Sequence, residues 1–168
     1  MSNAAAVDHE FPRPPKTFSD HDGRTVTIDA YDGNIDPLVE MYADFGSESR
    51  SQGLPPRSTA EISDWLSGLL ESGLNVAVWH DEQPVGHAVL VPYEDTSELA
   101  IFVHPTYQHA GIGSQLINVL LGNGQENDLD TVWLSVSRSN HVARRLYEAV
   151  GFDTTVRDRV ELEMERSL

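Results

Sequence analysis

Residues 98–124 read E-L-A-I-F-V-H-P-T-Y-Q-H-A-G-I-G-S-Q-L-I-N-V-L-L-G-N-G, and this stretch decides the fold. Its apolar run, residues 99–103, is typical of a strand that is covered on both faces of a sheet. Pro105 cannot donate a hydrogen bond to a neighbouring strand, so we expect the strand to end before it. The stretch therefore begins with a buried strand.

The second part of the stretch is a glycine turn, residues 108–113, followed by apolar residues at helical spacing. We expect this helix to stop at Gly122 and Gly124. The first N–H groups of a helix have no internal partner and carry the positive end of the helix dipole, and small residues let a ligand approach them. Such a turn suits a pyrophosphate, although the same glycines could serve only the geometry of a strand–helix joint.

The composition indicates one domain of 168 residues with an unusual charge. The net charge is −16, Lys16 is the single lysine, and the acidic residues are dispersed along the chain. One interpretation is an acidic face that attracts cationic substrates; the other is adaptation of the whole surface to a salty cytoplasm, as in a haloarchaeon. The near-absence of lysine favours the second. Nucleic acid is not expected as a partner, because no basic patch is visible.

The chain contains no cysteine, which excludes disulfides and cysteine metal sites, and its histidines show no metal-ligand spacing. It has no apolar run of the roughly 18 residues that a membrane span needs, and no secretory signal. We therefore expect a cytoplasmic protein with no membrane partner and no metal. Residues 1–24 are predicted to be a flexible lead-in, with 1–6 either native or a remnant of expression, and residues 25–168 the folded domain.

Periodicity predicts the element order β-α-α-β-β-β-α-β-α-β-β. Strands are expected at 26–31, 74–80, 84–91, 99–103, 131–136, 152–156 and 160–164, and helices at 34–45, from the Ser58 capping box to about Ser72, after the glycine turn, and at 140–150. The loop 46–56 is either an acceptor-site wall or a connector.

A second group of residues follows the strand at 131–136. Asn140 and Tyr147 are seven residues apart, which is about two helical turns, so both lie on one helix face. Taken alone, Asn140 could be only a helix cap and Tyr147 only a half-buried core aromatic. Together with the glycine turn, they indicate a shared site.

Two motifs about 30 residues apart carry a resemblance: Gln108-x-x-Gly111-x-Gly113, and Asn140 with Leu146-Tyr147-Glu148 and Gly151-Phe152. The sequence resembles the GNAT superfamily of acetyl-CoA-dependent N-acetyltransferases over about residues 25–164. The resemblance implies a single α/β (α+β) domain. Its mixed, mostly antiparallel sheet would have six to seven strands, splayed between the fourth and fifth, with about four flanking helices.

The resemblance also implies the function. The enzyme would transfer an acetyl group from acetyl-CoA to a primary amine of a small molecule or a protein, by direct attack in a ternary complex. Tyr147 would face the thioester sulfur, and Asn140 would contact the pantetheine arm. The implied acetyl-CoA-binding residues are Ile101, Phe102, Val103, Gln108, His109, Ala110, Gly111, Ile112, Gly113, Ser114, Asn140 and Tyr147.

The sequence departs from the family pattern at two places. His109 and Ala110 stand where the family usually has arginine or lysine, so phosphate binding would depend on backbone groups. Ser135 stands where N-terminal-alanine-type members have a glutamate. Glu98 matches the position of a glutamate thought to act as base in the protein-lysine branch, and is our candidate general base; Glu94, Asp95 and water are the alternatives.

Two other classes stay open at this stage. The chain could be a non-catalytic acyl-CoA-binding module of the same fold, or a nucleotide-binding α/β protein. The acceptor and the oligomeric state, monomer or homodimer, do not follow from the sequence.

Overall fold

The computed structural model describes residues 10–46 and 54–168. Its strands are β1 (Lys16–Ser19), β2 (Thr25–Ala30), β3 (Leu74–His80), β4 (Gln83–Tyr93), β5 (Thr96–Val103), β6 (Thr131–Ser137), β7 (Asp153–Arg157) and β8 (Glu161–Ser167). Its helices are α1 (Asp36–Ala43), α2 (Thr59–Ser72), α3 (Ile112–Glu126) and α4 (His141–Ala149). The predicted loop 46–56 includes residues 47–53, which lie outside the described residues.

The predicted fold class is confirmed. One sheet of eight strands has the order β1-β2-β3-β4-β5-β6-β8-β7, and its neighbours are antiparallel except for the parallel pair β5–β6. The strand count exceeds the expected six to seven because Lys16–Ser19, placed in the lead-in by the sequence, pairs with β2 as an edge strand. Its four residues are too few to show a periodicity. Residues 1–9 of that lead-in lie outside the described part of the chain.

Strand β5 has two very different neighbours. It pairs with β4 along all eight of its residues. With β6 it pairs only at Ser97 and Glu98, which lie opposite Val132 and Trp133. From Leu99 onward the two parallel strands separate, so the edge of β5 over residues 99–103 is left unpaired by the sheet. This is the predicted splay.

The sheet is covered unequally on its two faces. Helices α3 and α4 pack on one face over the main hydrophobic core, in which Leu116, Leu120 and Leu134 are at most 1% exposed. On the other face, α1 and α2 form a second cluster with Leu38, Tyr42, Ile62, Leu66 and, from β5, Phe102. The second cluster covers β3 to β5, whereas the same face of β8 carries exposed residues.

Helix α3 corrects one prediction. It does not stop at Gly122 and Gly124 but continues to Glu126. A Cβ at Gly122 would lie 1.9 Å from the carbonyl oxygen of Pro12, and one at Gly124 would lie 2.9 Å from Cδ1 of Leu90. The glycines are therefore required by close packing and not by a helix end, since any side chain would collide with its neighbours.

A buried polar chain joins the second cluster to the sheet. Nε2 of His87 lies 2.8 Å from Oδ1 of Asn75, whose amide nitrogen donates to the carbonyl oxygens of Leu69 and Gly73. Since Oδ1 can only accept, His87 carries its proton on Nε2, and the Tyr42 hydroxyl donates to Nδ1 over 2.7 Å. Burial lowers the pKa of His87 to about 3, so the ring is neutral.

Candidate active site

A cleft of about 680 Å³ opens where β5 and β6 separate. All the predicted site residues except Ala110 line it: Glu98, Ile101, Phe102, Val103, Gln108, His109, Gly111, Ile112, Gly113, Ser114, Asn140 and Tyr147. Alternation along the strands places Glu98 and Ser135 on the α1/α2 face of the sheet and Leu99 and Val136 on the α3/α4 face. Residues of both faces line the cleft, so it passes through the sheet.

The glycine turn forms the end of the cleft next to α3. His109 and Gly111 have φ values of 61° and 84°, both in the left-handed region. The backbone therefore changes direction at both residues, which makes the turn tight. Gly111 is the N-cap of α3, and no side chain caps the helix there. The first N–H groups of α3 are therefore left for a ligand, as an anion site at a helix N-terminus requires.

The turn is supported by the loop between β1 and β2, which sequence reasoning placed in the lead-in. The N–H of His21 donates to the carbonyl oxygen of Ala110 over 2.9 Å, and Ala110 itself is only 1% exposed. A Cβ at Gly111 would lie 2.5 Å from Nε2 of His21, so the imidazole closes that side of the turn. Ala110 therefore holds the turn in place without lining the cleft.

Tyr107 is a cleft residue that the sequence analysis missed. The guanidinium carbon of Arg24 lies 4.1 Å from the centre of its ring, and its hydroxyl lies 2.6 Å from Nδ1 of His80. Both partners are distant in sequence, and the short helical turn Pro105–Tyr107 has no periodicity. No local sequence pattern therefore indicated that Tyr107 lines the cleft.

Helix α4 forms the opposite wall. Oδ1 of Asn140 accepts a hydrogen bond from the Ala143 N–H over 3.2 Å, so this residue is a helix cap and a cleft residue at the same time. Tyr147 is 7% exposed, its ring packs against Phe152, and burial raises its pKa to about 12. No residue within 10–46 or 54–168 forms a hydrogen bond with its hydroxyl. A buried hydroxyl in this state is available to a ligand.

Glu98 lies at the last residue at which β5 and β6 are paired, and its side chain faces the cleft mouth. Glu98 is exposed, but partial desolvation of its carboxylate by the surrounding protein, and secondly the negative charge of Glu163, raise its pKa above the usual value of a glutamate. The alternative bases Glu94 and Asp95 lie between β4 and β5 and do not line the cleft. Ser135 lines it and donates to Oε1 of Glu161 over 3.3 Å. The base assignment stays a prediction.

The described residues offer neither a metal site nor a membrane span built from a helix. They contain no group of three or more histidine, aspartate and glutamate side chains placed to hold a metal ion. Among the helices of the same residues, none has both the length and the apolar character that crossing a membrane requires.

The model of the acetyltransferase (GNAT) family matches residues 35–152 of the chain. The chain belongs to this family. By that membership it is an enzyme, an N-acetyltransferase of the acyltransferase class. The [ribosomal protein bS18]-alanine N-acetyltransferase of Haemophilus influenzae is 34% identical to it over 100 residues, which cover 56% of this chain and 68% of that protein.

Solved structures share the fold at lower identity. The GNAT domain of S. lividans PAT is 16% identical with a TM-score of 0.77, and the match covers 95% of this chain and 100% of that one. A PaiA N-acetyltransferase from Thermoplasma acidophilum, solved in complex with coenzyme A, is 19% identical with a TM-score of 0.62, covering 84% and 99%. These similarities concern the fold alone.

Proposed function

We propose that the protein transfers the acetyl group of acetyl-CoA to a primary amine of a protein or a small molecule, by direct attack within a ternary complex. The observation that carries the proposal is the cleft itself. It joins an unpaired strand edge, an uncapped helix N-terminus and a buried hydroxyl that has no hydrogen-bond partner among the described residues. Membership in the acetyltransferase family supports the reaction type.

The cofactor would occupy the cleft along β5. Pantetheine carries amide groups, and the free edge at residues 99–103 offers backbone donors and acceptors, so the arm would add to the sheet like a strand. The pyrophosphate would lie on the first N–H groups of α3, and Asn140 would contact the pantetheine arm. A backbone N–H near Val103 would polarise the thioester carbonyl.

Glu98 would take the proton of the attacking amine, directly or through a water molecule. An alkylamine with a pKa of about 10.4 costs about 4–5 kcal/mol to deprotonate at pH 7, so a base lowers the barrier. The raised pKa of Glu98 makes its carboxylate a stronger base than an ordinary surface glutamate. The amine nitrogen then bonds to the thioester carbon, and the tetrahedral intermediate collapses by breaking the carbon–sulfur bond.

Tyr147 would stabilise the sulfur that leaves. With a tyrosine pKa of about 12 and a thiol pKa of about 8.5, complete proton transfer to the thiolate is uphill by about 5 kcal/mol. Tyr147 would therefore donate a hydrogen bond to the developing thiolate and keep its proton, and the released thiolate would be protonated from solvent. Its missing hydrogen-bond partner would then be the sulfur.

The salt concentration in which the protein works is part of the same proposal. With a net charge of −16 and one lysine, the protein would work in a cytoplasm of high salt, as in a haloarchaeon, where repulsion between surface carboxylates is screened. The measurement is the free energy of unfolding as the KCl concentration rises. Stability that increases up to molar salt is expected, and stability that is greatest in dilute buffer would contradict this setting.

The central experiment measures thiol release from acetyl-CoA in the presence of small amines, a lysine-containing peptide and a peptide that begins with alanine. The last is included because the Haemophilus influenzae relative is named for an alanine acceptor. Release that depends on one of these amines is expected. An empty panel with intact coenzyme A binding would contradict transfer to the amine classes proposed here.

A further inference from the structure

The loop between β1 and β2 contains a buried carboxylate, that of Asp20, whose side chain is fully buried. Its Oδ1 accepts hydrogen bonds from the backbone N–H groups of Asp22 and Arg24 over 3.0 and 2.9 Å, and its Oδ2 accepts one from Nε of Arg24 over 2.7 Å. Burial alone would raise the pKa of Asp20, but these hydrogen bonds outweigh it and lower the pKa below the usual aspartate value. Asp20 is therefore a buried carboxylate that stays ionised, which is rare unless the charge is paired.

The side chains that this loop presents both reach the cofactor end of the cleft. The guanidinium of Arg24, held by Asp20, lies over the ring of Tyr107, just before the glycine turn. The imidazole of His21 lies against Gly111, on the side where a Cβ would be. Tyr107 and Gly111 line the cleft, whereas Arg24 and His21 lie behind them. The loop thus supports the wall of the cleft from outside.

The glycine turn needs such support because of His109. Its φ of 61° lies in the left-handed region, which a residue with a Cβ keeps only when its surroundings hold it there. On one side, the amide nitrogen of Gln108 donates to the carbonyl oxygen of Val103 over 3.0 Å. On the other side, the carbonyl oxygen of Ala110 accepts from the N–H of His21 over 2.9 Å. The β1–β2 loop therefore helps to fix where the backbone N–H groups of the turn point.

The charge of the loop argues against a direct role in binding phosphate. Asp20 and Asp22 both pair with Arg24, over 2.7 and 3.1 Å, so these three side chains carry one more negative than positive charge. Their combined field on a nearby phosphate is repulsive. What the loop can contribute is geometry, because hydrogen-bond donors that are fixed before the ligand arrives cost less to order on binding.

We propose that Asp20 is a positioning residue that sets the preference of the enzyme for a donor with a pyrophosphate over a phosphate-free thioester. It acts through Arg24 and His21 on the glycine turn and contacts neither substrate. This inference rests on the proposed acetyl transfer and adds to it the part of the chain that selects the donor.

The experiment compares acetyl-CoA with S-acetylpantetheine, which has the same thioester and pantetheine arm but no pyrophosphate. The acceptor is the amine that reacts fastest in the thiol-release panel. For the unsubstituted enzyme, kcat/KM for acetyl-CoA should exceed that for S-acetylpantetheine by roughly a hundredfold, the contribution of about two charge-assisted hydrogen bonds.

The decisive variant is Asp20→Asn, in which an amide nitrogen replaces an oxygen and the side chain loses its charge, so that Arg24 is no longer held by an ion pair. The donor preference should fall from about a hundredfold to about tenfold, because KM for acetyl-CoA rises. The value of kcat at saturation, and both constants for S-acetylpantetheine, should stay within about twofold of the unsubstituted enzyme. Lost stability alone would affect the two donors equally.

The matched control is Asp22→Asn, which removes the same charge from the same loop at a side chain that is 66% exposed. If charge alone mattered, both variants would bind acetyl-CoA more tightly, since each loses a negative charge near the phosphates. Positioning predicts weaker binding for Asp20→Asn alone.

A second variant keeps the test available should thermal unfolding show that Asp20→Asn is not folded. His21→Ala removes the exposed imidazole beside Gly111 and leaves the backbone N–H that donates to Ala110. It should raise KM for acetyl-CoA by about threefold and leave S-acetylpantetheine unaffected.

Four results would overturn the inference while leaving acetyl transfer intact: no donor preference in the unsubstituted enzyme, equal losses with both donors, a KM for acetyl-CoA that does not rise in the folded variants, or equal effects of Asp20→Asn and Asp22→Asn. If no amine releases thiol, the proposed function fails instead. Calorimetry with coenzyme A and pantetheine then makes the same comparison between the variants without turnover, so the two failures are distinguishable.

Discussion

The two edges of β5 differ in how completely the polar groups next to them are hydrogen-bonded. Toward β4 the strand is hydrogen-bonded along its whole length, and on β4 the buried His87 has a partner on each ring nitrogen, Tyr42 from the second cluster and Asn75 from β3. Toward β6 pairing stops after Glu98, and a buried hydroxyl faces the opening without a partner in the described chain. Satisfied polar groups hold the fold, and unsatisfied ones are left for ligands. Substitutions on the closed side should therefore change stability, and those on the open side turnover.

The largest effect is expected from Tyr147→Phe on the open side. Removing one donor to the developing thiolate should lower kcat by roughly 10²–10³-fold. The affinity for coenzyme A and the thermal midpoint should hardly change, because the hydroxyl has no protein partner to lose within the described residues. Steady-state rates, calorimetry and thermal unfolding give the three values. An undiminished kcat would remove Tyr147 from the mechanism.

Glu98→Gln should come next, with a loss of about 10² in kcat/KM near neutral pH. Partial desolvation and the charge of Glu163 raise the pKa of Glu98, so the unsubstituted enzyme should lose activity as the pH falls through a value above that of an ordinary glutamate. The variant should lack this acidic limb. Asp95→Asn, in the turn between β4 and β5, is the control and should keep the acidic limb. A variant with the full rate at every pH would leave water as the base.

On the closed side, His87→Gln tests the buried polar chain. The His87 pKa is about 3 in the folded state and about 6.5 in the unfolded state, so the unfolded state binds the extra proton between these values. The stability that this residue contributes is complete above pH 6.5. It is lost as the pH falls, by about 2 kcal/mol between pH 6.5 and 5.

Denaturant unfolding at the two pH values measures this difference. The glutamine variant, which has no titrating ring, should lose about 2 kcal/mol less over the same interval, with kcat unchanged. Equal acid sensitivity of both proteins would mean that other groups cause it. A large change in kcat would show that the two sides of β5 are not independent.

Gly122→Ala should have the smallest effect. The new methyl group would meet the Pro12 carbonyl, so we expect a loss of about 1–2 kcal/mol of unfolding free energy and no change in kcat. Gly68→Ala in α2 is the matched control, because nothing lies within 4 Å of a Cβ there, and it should stabilise by up to about 1 kcal/mol. Equal effects of the two substitutions would contradict the close-packing explanation of Gly122.

Sequence patterns correctly predicted the helices and strands whose position depends on residues close together in the chain. The apolar run of β5, the Ser58–Glu61 capping box and the Asn140 helix start all lie where the sequence places them. Gly122 was misjudged, because the same residue ends a helix or admits a close neighbour, and the neighbour is Pro12, distant in sequence. Tertiary contacts of this kind are not visible in a window of sequence.

The cleft residues likewise divide into those that local sequence patterns indicate and those that depend on tertiary contacts. Residues of the turn and of α4 could be predicted because motif spacing places them at element ends. Tyr107 could not, since its partners Arg24 and His80 come from other strands.

The passage of the cleft through the sheet has a kinetic consequence. On the proposed assignment, acetyl-CoA enters from the face of the sheet that carries α3 and α4, and the acceptor enters from the face that carries Glu98, so neither occupies the other's entrance. Initial-rate lines should then intersect, and either substrate should be able to bind first. Coenzyme A should compete with acetyl-CoA and be non-competitive toward the peptide, and an abortive complex of coenzyme A with unacetylated peptide should accumulate when both are abundant.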